Sequence, residues 1–152
     1  MDNGKKLAAP CGLYCGVCGF YRAYKTNNQK LKEKLGNFYG VEPKDIICEG
    51  CLSDVVMGFC RACAVRTCAL EKGVEGCFEC SEFPCAHIEN YPFDVAKKYI
   101  MSGTKRRREL GTEKWITWET AHYTCKECGA LAFREAKRCP GCRGELKLEP
   151  VD

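Results

Sequence analysis

The sequence predicts a small metal-stabilised α+β protein. It would consist of a cysteine-rich multi-zinc module with few short strands, a helical middle segment and a C-terminal zinc ribbon. Fifteen of the 152 residues are cysteines, and twelve of these form six Cys-x-x-Cys pairs. Cysteines are absent between residues 86 and 124, where helical patterns replace them. Two thiolates separated by two residues can turn onto one tetrahedral metal ion, so each pair is half of a potential zinc site.

The cysteine pattern favours metal ligands over disulfides. The cysteine count is odd, one two-residue gap dominates the spacing, and the N-terminus lacks the apolar core of a secretion signal. We therefore expect a cytoplasmic protein, because thiols stay reduced and available as ligands there. No stretch approaches the roughly 20 apolar residues that span a bilayer, so we expect no membrane partner.

The formal net charge of +4 counts every cysteine as a neutral thiol. A zinc-bound cysteine is a thiolate, and fifteen thiolates on four zinc ions would bring the net charge to about −3. The apparent basicity is therefore weak support for a nucleic-acid-binding function.

The distribution of cysteines divides the chain into three predicted segments. Residues 1–90 form the cysteine-rich metal-binding module, residues 91–122 a helical connecting segment, and residues 123–152 the zinc ribbon. Within the first segment, apolar residues at roughly helical intervals predict a helix over residues 19–35, with Gly36 as its stop.

The middle segment is predicted to form two short helices. They span residues 94–101 and 112–120, and glycines such as Gly103 separate them. Thr112 is a suitable N-cap for the second helix. Trp115 and Trp118 are three residues apart, so they would share a face, either packed on the cysteine module or exposed to a partner.

The C-terminal cysteines have the spacing of a zinc ribbon. Cys125 and Cys128 are followed after ten residues by Cys139 and Cys142. Gly129 and the Pro-Gly between the last two cysteines allow the tight turns that bring backbone amides to the sulfurs. We predict one structural zinc bound by these four cysteines. Because protein ligands fill all four positions, catalysis at this metal is not expected.

The N-terminal module supplies twelve candidate ligands, enough for three four-coordinate sites. They are Cys11, Cys15, Cys18, Cys48, Cys51, Cys60, Cys63, Cys68, Cys77, Cys80, Cys85 and His87. One partition joins Cys48, Cys51, Cys60 and Cys63, then Cys77, Cys80, Cys85 and His87, then Cys11, Cys15, Cys18 and Cys68. Other, interleaved groupings of the same twelve residues also give three four-coordinate sites. Cys11, Cys68 and Cys85, which belong to no Cys-x-x-Cys pair, could instead be buried free thiols. With the ribbon, three to four zinc ions are expected, and His122 lies outside the predicted sites.

Two alternatives remain open. Thiolates alone do not choose between zinc and iron, so an iron–sulfur cluster could replace zinc in the N-terminal module. The basic run Lys105, Arg106, Arg107 and Arg108 could contact a nucleic-acid backbone. It could equally be a solvated run whose charges offset the nearby thiolates.

Several ordered blocks resemble a known family. They are Ala9-Pro10-Cys11-Gly12-Leu13-Tyr14-Cys15-Gly16-Val17-Cys18, then residues 48–51, 60–69 and 76–85. They are similar to the blocks of the cysteine-rich prokaryotic domain-of-unknown-function family 3795, in its long form with a C-terminal zinc ribbon. The resemblance implies a bacterial or archaeal cytoplasmic protein whose cysteines bind metal, and it implies no particular activity.

We predict a zinc-binding structural and interaction protein with a protein partner. No catalytic triad, phosphate-binding glycine loop or helical pair of zinc-binding histidines can be argued from the sequence, so no catalysis is assigned. The alternatives are a nucleic-acid-binding zinc protein, or an iron–sulfur or redox-active protein that uses an open metal position or a reactive thiol such as Cys11, Cys68 or Cys85.

Overall fold

The computed structural model describes residues 2–148, and this part of the chain is mostly helical. Its α-helices are α1 Asp2–Lys6, α2 Gly19–Lys25, α3 Gln29–Tyr39, α4 Gly58–Arg61, α5 Ala64–Lys72, α6 Ala86–Glu89, α7 Asp94–Leu110 and α8 Thr112–His122. Short 3-10 turns span Cys15–Val17, Pro43–Asp45 and Cys77–Glu79. None of the described helices combines the length and the apolarity needed to cross a bilayer.

The short strands of the predicted α+β class are not confirmed. Within residues 2–148, extended pairing is limited to three isolated antiparallel bridges, Ala8 with Tyr14, Thr124 with Leu131 and Arg138 with Glu145. The segments that carry cysteine pairs instead form tight turns closed by local hydrogen bonds, which leaves no alternating run long enough to pair as a strand. The fold is therefore mostly helical, with a cysteine cluster at its C-terminal end.

The helix predicted over residues 19–35 is two helices, α2 and α3. The chain breaks between them, and the Asn28 side chain caps α3 by accepting the Leu31 N–H at 3.1 Å. Gly36 does not end α3. It is buried inside the helix, where a Cβ would meet the Val41 carbonyl oxygen at 2.5 Å. The helix ends at Gly40, whose φ of 72° is the left-handed conformation that glycine adopts readily.

Helix α7 is longer than predicted and continues through Gly103 to Leu110. Its buried face carries Ile100, Gly103, Thr104 and Arg107, spaced as one side of a helix. Gly103 does not break the helix because this face packs directly on the backbone of Gly12, where a side chain would not fit. Tertiary packing therefore overrides the low helix propensity of glycine.

Helix α8 also runs further than predicted, to His122, and Thr112 is its first helical residue and not its N-cap. The two tryptophans differ in environment. Trp115 is fully buried, with 0% of its surface exposed. Trp118 is half-buried, with the Arg106 guanidinium 3.5 Å from its ring centroid and the His122 ring stacked at 4.6 Å.

The core consists of three apolar clusters. The first joins α2 and α3 to Ile46, Cys48 and Met57, and the second surrounds Trp115. The third includes Cys11, Ile88 and Ile100. Cysteines contribute to every cluster, so any metal they bind would lie next to the apolar core. The division of the chain into three domains stays a prediction.

Candidate metal centres

The four ribbon cysteines form the tightest set of metal-ligating atoms in the described residues. The Sγ atoms of Cys125 and Cys142 are 3.9 Å apart, and those of Cys128 and Cys139 are 3.4 Å apart. All four sulfurs lie within 4.8 Å of one another. Four sulfurs placed 2.3 Å from one tetrahedral zinc stand about 3.8 Å apart. This cluster could therefore hold a single metal ion.

Two equivalent turns position these sulfurs. The Gly129 N–H donates to the Cys125 carbonyl at 2.9 Å, and the Arg143 N–H donates to the Cys139 carbonyl at 3.0 Å. Gly129 and Arg143 each follow the second cysteine of a pair, and both are left-handed, with φ of 78° and 65°. The role of Gly129 was predicted. The left-handed conformation of Arg143 was not predicted, because arginine rarely adopts a positive φ and its presence does not indicate such a turn.

Backbone donors favour the thiolate form of Cys139. The N–H groups of Cys142 and Gly141 lower the pKa of Cys139 to about 6, against the opposing effect of burial. The Gly141 nitrogen lies 3.3 Å from the Cys139 sulfur. The pKa of Cys142 moves the other way, to about 11. There, the N–H of Gly144 has the largest single effect and lowers the pKa, but burial and the hydrogen bonds shared with Cys128, Cys139 and Cys125 together outweigh it. A bound metal ion would replace these shared protons.

A second group of thiols surrounds one cavity in the N-terminal part of the chain. Cys68, Cys77, Cys80 and Cys85 line this cavity together with His87. Helix α5 carries Cys68. Cys77 and Cys80 lie on one turn, in which the Cys80 N–H donates to the Cys77 carbonyl at 3.0 Å. The predicted partition placed Cys68 with Cys11, Cys15 and Cys18. The structure instead places it with Cys77, Cys80 and Cys85, because α5 turns its sulfur toward their loop.

The seven remaining cysteines divide mainly between two of the apolar clusters. Cys18, Cys48 and Cys60 pack in the cluster of α2 and α3, whereas Cys11, Cys15, Cys51 and Cys63 pack in the cluster of Ile88 and Ile100. Cys15 also contacts the Trp115 cluster. Each of the three Cys-x-x-Cys pairs therefore divides its members between the clusters. The Cys51 N–H donates to the Cys15 sulfur at 3.3 Å, which joins the first pair to the second. The partition that kept Cys48, Cys51, Cys60 and Cys63 in one site does not describe this packing.

Burial keeps several of these thiols protonated when no metal is bound. It raises the pKa of Cys11 to about 12 and that of Cys77 to about 11, with further increases from neighbouring cysteines. The pKa values of Cys15, Cys51 and Cys60 are also raised, first by burial and then by adjacent cysteines. Metal binding at these sites would therefore release protons.

Two arginines, Arg107, which is buried, and Arg134, which is half-buried, face the turns that carry cysteines. The sequence analysis predicted neither contact. Arg107 is 1% exposed and donates to the Ala9 carbonyl at 3.1 Å. Arg134 donates to the Tyr14 carbonyl at 2.8 Å. Burial alone would lower the pKa of Arg134, but Cys18 and Glu119 outweigh it and raise that pKa. The one feature of the sequence that could have indicated the burial of Arg107 is its helical spacing from Ile100, which places both residues on the same face of α7.

The basic run makes contacts within the fold. Arg106 lies over the Trp118 ring, and Arg107 is buried. Arg108 donates to the carbonyl oxygens of Phe78 at 2.9 Å and Cys80 at 3.3 Å. Three of the four cations therefore serve intramolecular interactions. Binding of nucleic acid by this run stays a prediction.

The fold and the sites define a helical, cysteine-rich protein with a four-cysteine cluster that could hold a metal ion. The chain belongs to the family described as Protein of unknown function (DUF3795), whose profile matches residues 7–90. This confirms the resemblance of the N-terminal blocks, while the match stops before the ribbon. Comparison with curated proteins gives no match, and neither does comparison with solved structures.

Proposed function

We propose that the protein is a zinc-stabilised structural and interaction protein whose ribbon binds one zinc ion through Cys125, Cys128, Cys139 and Cys142. The observation that carries the proposal is the approach of these four sulfurs to within 4.8 Å of one another. Four thiolates select zinc over hard cations such as magnesium and calcium. They also fill the tetrahedral shell and leave no position for water or substrate, which is the property of a structural site.

The segment between the two ribbon turns anchors the ribbon to the rest of the chain. Phe133 packs against the cluster of α2 and α3. The Arg134 N–H donates to the Val17 carbonyl at 2.7 Å. Zinc bound to the two flanking turns would fix the ends of this segment. Because structural zinc contributes roughly 10 to 16 kcal/mol of binding free energy, its loss would weaken this contact as well as the ribbon.

A protein is the partner that we propose for this scaffold. Phe38 exposes 78% of its surface, and its ring contacts Tyr39, which in turn contacts Phe93. Such an aromatic group at the surface suits a protein contact. We also propose a reducing, cytoplasmic location, because the thiols must remain available as ligands.

Zinc analysis of a ribbon variant tests the proposal. Cys139→Ser removes a buried ligand, so we expect it to contain one zinc ion fewer per chain than the wild type and to melt at a lower temperature. Lys126→Ala changes an exposed residue of the other ribbon turn and serves as the control, with unchanged zinc content. Full zinc occupancy in a folded Cys139→Ser variant would overturn the assignment.

A second measurement on the wild type does not depend on folding of a variant. Cys128 and Cys142 are exposed in the structure and open to alkylating reagents. If they bind zinc, both should resist alkylation until a chelator is added. Rapid alkylation of these two thiols in protein isolated under reducing conditions would contradict a ribbon zinc.

A further inference from the structure

The cavity lined by Cys68, Cys77, Cys80 and Cys85 has the composition of a cofactor site. Its four thiols come from α5, from the Cys77–Glu79 turn and from the residue before α6. Apolar side chains, including Val65, Ala69 and Phe83, complete the wall. Four thiols line one partly open cavity, and each of the four is partly buried.

The spacing of these sulfurs differs from that in the ribbon. Among residues 2–148, the ribbon is the one group in which three or more ligand atoms of His, Cys, Asp or Glu lie within 4.8 Å of one another. No three of the four cavity sulfurs therefore reach the separation of about 3.8 Å that one tetrahedral zinc imposes. Thiolates that bind the separate irons of an iron–sulfur cluster stand further apart, because the cluster itself fills the space between them.

The surroundings of the cavity suit an anionic cluster. The Lys72 ammonium lies 3.9 Å from the Cys80 sulfur. Arg108 donates to the carbonyl oxygens of Phe78 and Cys80 and thereby holds the turn that presents Cys77 and Cys80. Positive charge near the thiolates and a fixed ligand turn are the features by which proteins stabilise such clusters and set their potentials.

We propose that Cys68, Cys77, Cys80 and Cys85 bind one [4Fe–4S] cluster. Each thiol exchanges with one terminal thiolate of a thiolate-ligated [4Fe–4S] cluster. In each exchange the S–H bond of the cysteine and one bond from iron to the incoming cluster's own thiolate break, a bond from the cysteine sulfur to that iron forms, and the displaced thiolate leaves with the proton. The four thiolates satisfy all four irons. His87 lines the same cavity but is exposed, and it is not needed as a ligand.

Iron and sulfide analysis of anaerobically purified protein tests the proposal. We expect the wild type to show the broad visible absorption that is typical of iron–sulfur clusters. It should also contain at least four irons and four sulfides per chain. Cys80→Ser and Cys68→Ser should each lose about four of both, while the zinc content stays unchanged. His87→Ala is the matched control from the same cavity and should keep its iron.

Native mass spectrometry of the wild type gives an independent reading, because the mass of a [4Fe–4S] cluster differs from that of one zinc. Cys139→Ser distinguishes this proposal from the ribbon assignment, since it should lose zinc and keep iron. A wild type without iron and sulfide would overturn the cluster. Iron that remains in both Cys80→Ser and Cys68→Ser would also overturn it. So would the loss of one zinc ion, and of no iron, in these two variants.

Discussion

Arg107 places a guanidinium in the interior of the protein, between two elements that carry cysteines. It donates to the Ala9 carbonyl at 3.1 Å, the Thr112 hydroxyl at 3.0 Å and the Glu75 carboxylate at 3.3 Å. Its guanidinium carbon lies 4.3 Å from the Phe78 ring centroid. Burial lowers the pKa of Arg107, and the Glu75 carboxylate opposes that shift. The three bonds start from three different nitrogens of the planar guanidinium, a fork of donors that the single ammonium nitrogen of lysine does not offer.

Glu119 is a buried carboxyl on α8, where it accepts the Trp115 indole N–H at 3.1 Å. Burial raises its pKa above the usual value of 4.5, although Arg134, Arg106 and the Trp115 bond partly oppose this. A carboxyl with a raised folded-state pKa contributes stability that is fully present below the unfolded-state pKa. This contribution is lost as the pH rises through the folded-state pKa.

Glu119→Gln keeps an oxygen acceptor for Trp115 and removes the titration. We therefore expect the stability of the variant, relative to the wild type, to rise as the pH increases from 4.5 through the raised folded-state pKa of Glu119. Urea unfolding of both proteins across this range measures the difference.

Glu113→Gln, at an exposed position of the same helix, serves as the control, and its stability difference from the wild type should change little with pH. A stability difference between Glu119→Gln and the wild type that is independent of pH would contradict the assignment of a raised pKa to Glu119.

Helix α7 packs against the turn that carries Cys11. Its Thr104 hydroxyl donates to the Cys11 carbonyl at 3.2 Å. Gly103 lies directly on Gly12, and the next turn of the helix carries Arg107. The position of Cys11 therefore depends on a close approach between α7 and the backbone of the Cys11 turn.

Gly103→Ala tests this approach. Alanine favours a helix over glycine by about 1 kcal/mol, so an exposed position would be stabilised. Here the new Cβ would overlap the Gly12 carbonyl oxygen, and that backbone cannot move aside as a flexible side chain would. We expect the substitution to lower the free energy of unfolding by about 2 to 3 kcal/mol, measured by urea denaturation.

Gly58→Ala in α4 is the control, because no neighbouring atom lies within 4 Å of the position that the new Cβ would take. It should change the free energy of unfolding by less than about 0.5 kcal/mol. Equal stability of Gly103→Ala and the wild type would show that α7 and the Cys11 turn are not in the contact described.

Local signals in the sequence were sufficient for the ribbon and insufficient for the N-terminal sites. The ribbon ligands are brought together by two turns of four residues each, so spacing and Gly129 identify them. Cys68 is carried by a helix that packs on a loop nine residues later, and spacing alone does not reveal which sulfurs it faces.

The same limit explains the errors in helix boundaries. Gly36 and Gly103 resemble stop signals in the sequence, yet both are buried inside helices because a neighbouring backbone occupies the space of their missing side chains. That neighbour is known only once the tertiary fold is known. The periodic apolar faces of α3 and α7, in contrast, were recognisable as helical.

At the scale of the whole molecule, cysteines pack beside the large apolar side chains of the core. All three apolar clusters include cysteine sulfurs, and the ribbon segment packs against two of them. Structural zinc contributes roughly 10 to 16 kcal/mol per site. A typical domain has a net stability of roughly 5 to 15 kcal/mol. Metal binding alone is therefore large enough to decide whether this chain folds.

Metal removal tests this central claim most directly. The protein is treated with EDTA and a reductant under anaerobic conditions, its metal content is measured, and its far-ultraviolet circular dichroism is followed during heating. We predict that the metal-free chain loses most of its helical signal and has no cooperative melting transition. A sample shown to be free of metal that keeps both its spectrum and its melting temperature would contradict the account.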